Sequence, residues 1–407
     1  MSEERRGFNK ALLPIFLIVA VDVLGLTIIL PLLPFYAERY GASPQQVGWL
    51  VTTYAFCQLL AGPLLGRLSD RHGRRPWLIV SQLGTFAGFL ILGWAKSLAW
   101  IFFSRFLDGI TAGNLSLAQA YISDVTAPEE RAKSFGVIGI AFGLGFLIGP
   151  ALSGFLAQYS YQYPAWAAAS LSLTSVLCTY FLLPRVKPHA DDGEAPGGRR
   201  LALVEWGRYA DYFRKPELGE TLTEFFLFCA MFSLFMSGFA LFAERRFVGA
   251  GGLPYGPKQV GYLYAYSGLL GVFIQGGLLG RLVRRFGERK LAAAGFLSAA
   301  AGLAALAKIT TLGPLVAAFT AIAFGTGVLR PSLTSLVTRA ADRREQGVVL
   351  GLTQSLNSGA QIVFPLISGW LIERGALSAW ALAAGAVSAL GLALLARRAT
   401  APARVAA

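Results

Sequence analysis

The stretch GRLSDRHGRRP, residues 66–76, places four arginines, one histidine and one aspartate in eleven positions. Long apolar runs flank it on both sides, and the 407-residue chain is 55% hydrophobic but only 14% charged. Soluble domains carry about 25% charged residues. The stretch therefore indicates a short charged loop between two apolar helices that cross a membrane.

Apolar segments of about 20 residues, long enough to cross a hydrocarbon core about 30 Å thick, recur along the chain. They predict an all-α integral membrane protein with twelve transmembrane helices. Cys57, Cys178 and Cys229 lie within these segments as small apolar residues, so we expect neither a disulfide framework nor a metal site. The predicted spans are 11–36, 46–68, 76–95, 98–124, 132–157, 163–184, 218–243, 258–282, 290–309, 313–338, 347–372 and 377–396.

The net charge of +14 first suggests a nucleic-acid-binding protein. Most of the 36 lysines and arginines, however, fall in the two termini and in every second loop between the predicted spans. This asymmetry is the positive-inside bias of membrane proteins. We therefore expect a multi-pass protein of the cell or inner membrane with both termini cytoplasmic and no nucleic-acid partner.

Two motifs occur twice at nearly one spacing. GRLSDRHGRRP at 66 returns as GRLVRRFGERK at 280, and GPALSGFL at 149 returns as FPLISGWL at 364, offsets of 214 and 215. A long polar stretch separates the two copies. These features predict two pseudo-symmetric six-helix halves, with an N-terminal bundle at 1–184, a cytoplasmic linker at 185–217 and a C-terminal bundle at 218–407.

The motifs resemble those of the major facilitator superfamily, and most closely those of its drug:proton antiporters, including tetracycline efflux proteins. GRLSDRHGRR resembles the signature G-x-L-x-D-R-x-G-R-R, and RFLDG at 105–109 resembles R-x-x-Q-G with Asp108 in place of glutamine. The fifth span matches the antiporter pattern, apart from Ser153 in place of a glycine. The matching residues of that helix-packing motif are Gly136, Gly145, Gly149, Pro150 and Gly154.

In the resembling family, the loop that matches residues 66–76 acts as a cytoplasmic gate. Asp70 can accept hydrogen bonds from arginines or from a helix N-terminus, and two glycines permit a tight turn. The alternative is a simple positive anchor, which explains the arginines but not Asp70, because acidic residues contribute little to topology. The gating residues are predicted to be Gly66, Asp70, Arg71, Gly73 and Arg74.

Charges inside the membrane are costly and mark functional sites. Asp22 lies about 17 Å into the first span, near the midplane, and is the leading candidate for the proton carrier. Arg105 and Asp108 share one face of the fourth span; the resemblance implies a role in proton transfer, and a structural ion pair is the alternative. Glu224 in the seventh span either couples protons or reaches the interface.

The C-terminal half offers candidates for substrate binding. Arg330 precedes Pro331 well inside the tenth span, where it either pairs with Asp22 or Asp108 or holds an anionic group of the substrate. Four amides either line a polar cavity face or join helices by hydrogen bonds. They are Gln275, Gln354, Asn357 and Gln361. The histidine of the eighth span of tetracycline antiporters has no counterpart, because His72 and His189 both lie in loops.

The chain lacks a phosphate-binding loop and the common motifs of intramembrane enzymes, so we expect a transporter rather than an enzyme. It would use a proton gradient, require no cofactor and act as a monomer on small molecules amid membrane lipid. The predicted function is proton-coupled antiport that exports amphipathic drugs or organic anions by alternating access. The alternatives are a proton-coupled symporter or facilitator for a metabolite, and a lipid-handling or sensor protein of the same fold.

Overall fold

The computed structural model describes residues 3–126, 131–184, 211–249, 251–341 and 345–400. Across these ranges the backbone is helical, and its one β feature is an isolated bridge between Val248 and Pro254. Nine helices in the described ranges are long and apolar enough to cross a membrane. The predicted all-α membrane class is confirmed, and the count of twelve spans stays a prediction.

The helices are numbered here in chain order. They are α1 Glu3–Ile29, α2 Leu33–Glu38, α3 Pro44–His72, α4 Arg74–Gly93, α5 Leu98–Ile110, α6 Asn114–Val125, α7 Arg131–Ala157, α8 Gln162–Leu182, α9 Pro216–Arg246, α10 Pro257–Phe273, α11 Leu279–Phe286, α12 Glu288–Leu306, α13 Leu312–Ala340, α14 Gln346–Glu373 and α15 Leu377–Thr400. A π-helical segment, Ile274–Leu278, joins α10 to α11.

The first compact unit comprises Met1–Glu194 and Tyr255–Leu269. In it α1 packs along α7 and α8, and α4 packs between α5 and α8. Fully buried apolar side chains from several helices, among them Ile18, Leu78 and Leu117, form its core. These contacts hold the charged residues of α1 and α5 within one packed unit.

The second unit comprises Ala195–Pro254 and Leu270–Ala407. Its core is aromatic: the ring of Phe319 on α13 lies 4.6 Å from that of Phe239 on α9, and Phe242 stacks 4.8 Å from Trp380. The indole Nε1 of Trp380 donates a hydrogen bond of 2.9 Å to Ser368. This hydrogen bond satisfies the polar atom of a fully buried indole, as burial requires.

The division into units differs from a simple division at the linker. Residues Tyr255–Leu269 pack with the first unit, because Gly261 and Gly268 lie directly against the backbone of α7 at Pro150 and Phe146. Residues 185–210 of the predicted linker lie outside the described residues. The predicted division into two six-helix bundles therefore stays a prediction based on the sequence repeat.

Two predicted spans are wrong in their continuity. The span 11–36 is interrupted after Ile29, close to Pro31 and Pro34. Two prolines three residues apart have no N–H to donate, so they weaken the helical hydrogen bonding there. The span 98–124 divides into α5 and α6, with a break at residues 111–113. The second interruption lies directly after the charged residues Arg105 and Asp108.

Candidate functional site

A serine on α4 stabilises the break in the fourth span. The hydroxyl of Ser81 donates to the carbonyl of Thr111 at 2.5 Å and accepts the N–H of Gly113 at 2.8 Å. Irregular backbone at membrane depth is tolerated where protein groups satisfy its polar atoms. Ser81 thus allows α5 to end immediately after the charged residues of the RFLDG motif.

Arg105 and Asp108 form an ion pair in the last turns of α5. Arg105 Nη1 lies 3.2 Å from Asp108 Oδ2, and only 4% of each side chain is exposed. The guanidinium also lies 5.6 Å from the ring centre of Phe89, and Thr85 lies close to the Asp108 carboxylate. The predicted pairing on one helix face is present, and its burial makes either charge costly without the other.

Asp22 on α1 lies beside this pair. Its carboxylate lies close to Ser175 of α8 and Gln82 of α4, and it interacts electrostatically with Asp108. Gln82 Nε2 donates to Ser175 Oγ at 2.7 Å, and Ser175 donates to the carbonyl of Ile18 at 3.3 Å. We call Asp22, Gln82, Arg105, Asp108 and Ser175 the Asp22 cluster. It brings together three of the four residues predicted to couple protons.

The Asp22 cluster holds polar atoms whose hydrogen-bonding capacity is unused. Asp22 Oδ1, Gln82 Oε1 and Arg105 Nη2 are buried, and none has a hydrogen-bond partner among the described residues. Buried polar atoms in this state are costly, so they persist where a function uses them. Of the three residues, only Asp22 carries a group that can bind and release a proton in the physiological range.

The 66–76 loop contains a compact ion-pair clasp. Arg74 at the start of α4 pairs with Asp70 of α3 and with Asp124 of α6, whose Oδ2 lies 2.7 Å from Arg74 Nε, and also donates to Ser69 Oγ at 2.8 Å. Gly73, at φ +93°, provides a turn that other residues rarely adopt. Of the other predicted gating residues, Gly66 accepts a hydrogen bond from Ser69 and Arg71 is exposed.

The repeated loop in the second unit holds the same clasp with its charges inverted. Glu288 corresponds to Arg74 at an offset of 214, and Arg339 to Asp124 at an offset of 215. Arg339 lies 2.7 Å from Glu288, which also accepts a hydrogen bond of 3.1 Å from Ser335. Gly287 repeats the turn of Gly73 at φ +76°. The duplication thus preserved the position of the ion pair while exchanging its acid and its base.

The glycines of α7 permit close contacts with two helices. The hydroxyl of Thr27 on α1 donates to the carbonyl of Gly145 at 2.9 Å, and a Cβ on Gly149 would collide with Thr27. On another face, a Cβ on Gly154 would lie 3.0 Å from the carbonyl of Pro257. The predicted packing role is therefore carried by backbone contacts on α1 and α10. Gly136 lies within α7, but its surroundings are outside the described part of the chain.

Gly149→Leu is expected to reduce transport at least tenfold and to lower the thermal unfolding temperature, because overpacking in a tight contact typically costs about 1–3 kcal/mol. Gly139→Leu is the matched control: it lies on the same helix, and a Cβ there would meet nothing within 4 Å. The measurement is transport into vesicles beside a detergent melting curve for both variants. If Gly149→Leu transports substrate and melts as Gly139→Leu and the wild type do, the α1–α7 contact is dispensable.

Glu224 and Arg330 both belong to the second unit, on α9 and α13. Glu224 is fully buried, about two turns inside α9, so it does not reach an aqueous interface. Arg330 is exposed and lies close enough to Cys229 to interact with it electrostatically. A cation at membrane depth is costly when it faces lipid.

The four predicted substrate-binding amides lie at two places in the structure. Gln275 is exposed within the π-helical segment, a local deviation that is frequent at functional sites. Gln354, Asn357 and Gln361 follow one another at helical spacing along α14, and each is at least partly exposed. Their binding role stays a prediction.

The sequence interpretation missed Ser81, Gln82, Ser175 and Asp124. Each is a polar residue in a predicted span or at its end. Gln82 also meets the criterion that identified Asp22, a polar side chain deep inside a predicted span. Neutral polar residues are, however, common in membrane helices, where they often join helices by hydrogen bonds. The structure distinguishes these four by what they contact.

Comparison with known proteins agrees with this architecture. The sequence pattern of the Major Facilitator Superfamily matches residues 15–281 and 255–407. The chain is 30% identical over 353 residues to the class B tetracycline resistance protein of Escherichia coli, covering 86% of this chain and 85% of that protein. It is 28% identical over 368 residues to multidrug resistance protein 2 of Bacillus subtilis, with 87% of each chain covered.

A solved structure has the same fold. The human organic anion transporter MFSD10 superposes with a TM-score of 0.72 at 23% identity, over 97% of this chain and 100% of that one. Together with the ion-pair clasps, the antiporter glycines and the helical units, these matches identify the chain as a member of the Major Facilitator Superfamily.

Proposed function

We propose that this protein is a proton-coupled secondary transporter that exports amphipathic organic molecules in exchange for protons. The observation that carries the proposal is the Asp22 cluster, which keeps two carboxylates and an arginine together at membrane depth. Relatives named for tetracycline and multidrug resistance support export as the direction. Organic anions, which the sequence also predicts, are a second class of candidate substrate.

In this proposal Asp22 carries the proton. Asp108, which is paired with Arg105, interacts electrostatically with Asp22. A substrate that enters from the cytoplasm favours release of the proton. The inward-directed proton gradient then drives the outward movement of substrate, since one charge moving through 100 mV contributes about 2.3 kcal/mol. The protein acts as a monomer in the inner or cell membrane, surrounded by lipid, and no cofactor is required.

Access alternates between the two sides of the membrane. The Asp70–Arg74–Asp124 clasp fixes the predicted cytoplasmic ends of α3, α4 and α6, and the Glu288–Arg339 pair does so for α12 and α13. We assign both clasps to a gate that closes the cytoplasmic side. We assign the close contacts of α7 to sealing the substrate path against leakage. Arg330 and the amides Gln275, Gln354, Asn357 and Gln361 are assigned to substrate binding.

The test is proton release from purified protein in weakly buffered detergent when tetracycline or another amphipathic compound is added. An antiporter releases close to one proton for each molecule bound. Proton uptake on binding would instead indicate a symporter. Binding without any change in pH would indicate a facilitator or a sensor, and either result contradicts the proposal.

A further inference from the structure

Gln82 on α4 is held by two serines of α8. Its side-chain Nε2 donates to Ser175 Oγ at 2.7 Å, and its main-chain carbonyl accepts a hydrogen bond of 3.2 Å from the hydroxyl of Ser172. All three residues are buried, Gln82 and Ser175 completely. Both the main chain and the amide group of Gln82 are therefore fixed where α4 packs against α8.

Ser175 determines the orientation of the Gln82 amide. A serine hydroxyl has one hydrogen to donate, and that of Ser175 is donated to the carbonyl of Ile18 at 3.3 Å. The oxygen of Ser175 therefore acts toward Gln82 as an acceptor, so the amide atom that faces it is the nitrogen. The amide oxygen of Gln82, Oε1, is buried and has no hydrogen-bond partner among the described residues.

The same hydrogen bonds place Gln82 beside Asp22. In an α-helix the carbonyl of Ile18 points toward residue 22, whose N–H it accepts. Ser175 is bonded to that carbonyl and Gln82 is bonded to Ser175, so both lie next to the turn of α1 that carries Asp22. The closeness of the Asp22 carboxylate to both side chains agrees with this placement. Its Oδ1 is also buried and lacks a hydrogen-bond partner in the described part of the chain.

Asp22 and Gln82 thus bring two unused acceptors, Oδ1 and Oε1, to one buried place. An ionised carboxylate only accepts hydrogen bonds, whereas a protonated carboxyl group also donates one. Without a proton neither oxygen satisfies the other, and buried polar atoms without partners cost free energy. One proton on Asp22 provides the missing donor and satisfies both oxygens at once.

We propose that Gln82 is a positioning residue for the transported proton: its Oε1 accepts the hydrogen bond that protonated Asp22 donates, and Ser175 holds the amide in the orientation that allows this. The inference rests on the proposed antiport and deepens it, because it assigns the group that recognises the loaded state of Asp22. The O–H bond of the carboxyl group is the bond that forms and breaks. Its proton comes from water on one side of the membrane and returns to water on the other.

The test records infrared difference spectra of the full-length protein in lipid between low and high pH. The C=O stretch of a protonated carboxyl group is separate from the amide bands, and Asp22→Asn identifies the contribution of Asp22. Gln82→Met keeps the approximate size of the side chain but removes the acceptor. It is expected to move the Asp22 band to higher wavenumber, because a hydrogen bond donated by a carboxyl group weakens its C=O bond. Gradient-driven flux should fall about tenfold, the effect of one hydrogen bond.

Two serine variants provide the matched comparison. Ser175→Ala removes the hydroxyl that orients the amide, so it should move the Asp22 band in the same direction as Gln82→Met does. Ser172→Ala removes a hydrogen bond between the same two helices and to the same glutamine, but that bond is made to the main chain. It should leave the band in place. If Gln82 served only to join α4 to α8, the two serine variants would not differ in this band.

A folded Gln82→Met protein with an unshifted Asp22 band would overturn the proposal, as would equal shifts in Ser175→Ala and Ser172→Ala. Melting curves establish folding, and the two serine variants decide if Gln82→Met unfolds. An unshifted band still shows a protonated Asp22, so that result removes the role of Gln82 and leaves the antiport proposal standing. If Asp22→Asn removes no band from the wild-type spectrum, Asp22 binds no proton, and the proposed carrier fails together with this inference.

Discussion

Asp22→Asn is expected to bind and exchange substrate but to lose all accumulation driven by a pH gradient. Asparagine resembles the protonated aspartate in shape and polarity, yet it cannot release a proton when substrate arrives. With a pH difference of about 2 units and one proton per cycle, the wild type can sustain up to a roughly hundredfold substrate gradient, since each unit is worth a factor of ten. The variant should sustain none.

The measurement uses proteoliposomes loaded with substrate, with and without the pH difference. Exchange of labelled for unlabelled substrate, which needs no net proton movement, should persist in Asp22→Asn and shows that the protein is folded and gated. Asp22→Glu, which keeps an ionisable group at the same position, should retain part of the coupling. Accumulation by Asp22→Asn at the wild-type level would exclude Asp22 as the essential carrier and point to Asp108.

The sequence was sufficient to predict the membrane class and the approximate positions of the nine long apolar helices found in the described residues. Both depend on features that act over about 20 residues, apolar length and loop charge, which survive in any arrangement of neighbouring helices. The break between α5 and α6 was not predictable in this way. It depends on Ser81, from another helix, whose hydroxyl satisfies both sides of the interruption.

The candidate site was predicted in part for a related reason. Asp22, Arg105 and Asp108 are individually conspicuous, because a charge in an apolar segment is rare and costly. Their association with Gln82 and Ser175 depends on how α1, α4 and α8 pack. The sequence pattern of a single helix does not predict which residues of other helices it contacts. The inverted clasp illustrates the same limit: the repeat aligns Glu288 with Arg74, but only the structure places Arg339 beside it.

Neutralising Arg105 and Asp108 together is expected to restore stability without restoring transport. Breaking a buried ion pair from one side typically costs about 3–5 kcal/mol, because the remaining charge is left uncompensated. Arg105→Gln and Asp108→Asn should each therefore lower the unfolding temperature markedly. The double variant leaves no unpaired charge and should melt close to the wild type, while its gradient-driven transport stays at least about a hundredfold reduced.

This pattern separates a functional pair from a structural one. If the ion pair served only to hold α5 in place, activity would follow stability and return in the double variant. If the pair tunes the proton on Asp22, removing Arg105 and Asp108 takes away the carboxylate that interacts electrostatically with Asp22 and the guanidinium paired with that carboxylate. Asp22 then has no charged neighbour left in the Asp22 cluster. Melting curves and pH-driven flux on the same four proteins decide between these cases, and recovery of flux in the double variant would make the pair structural.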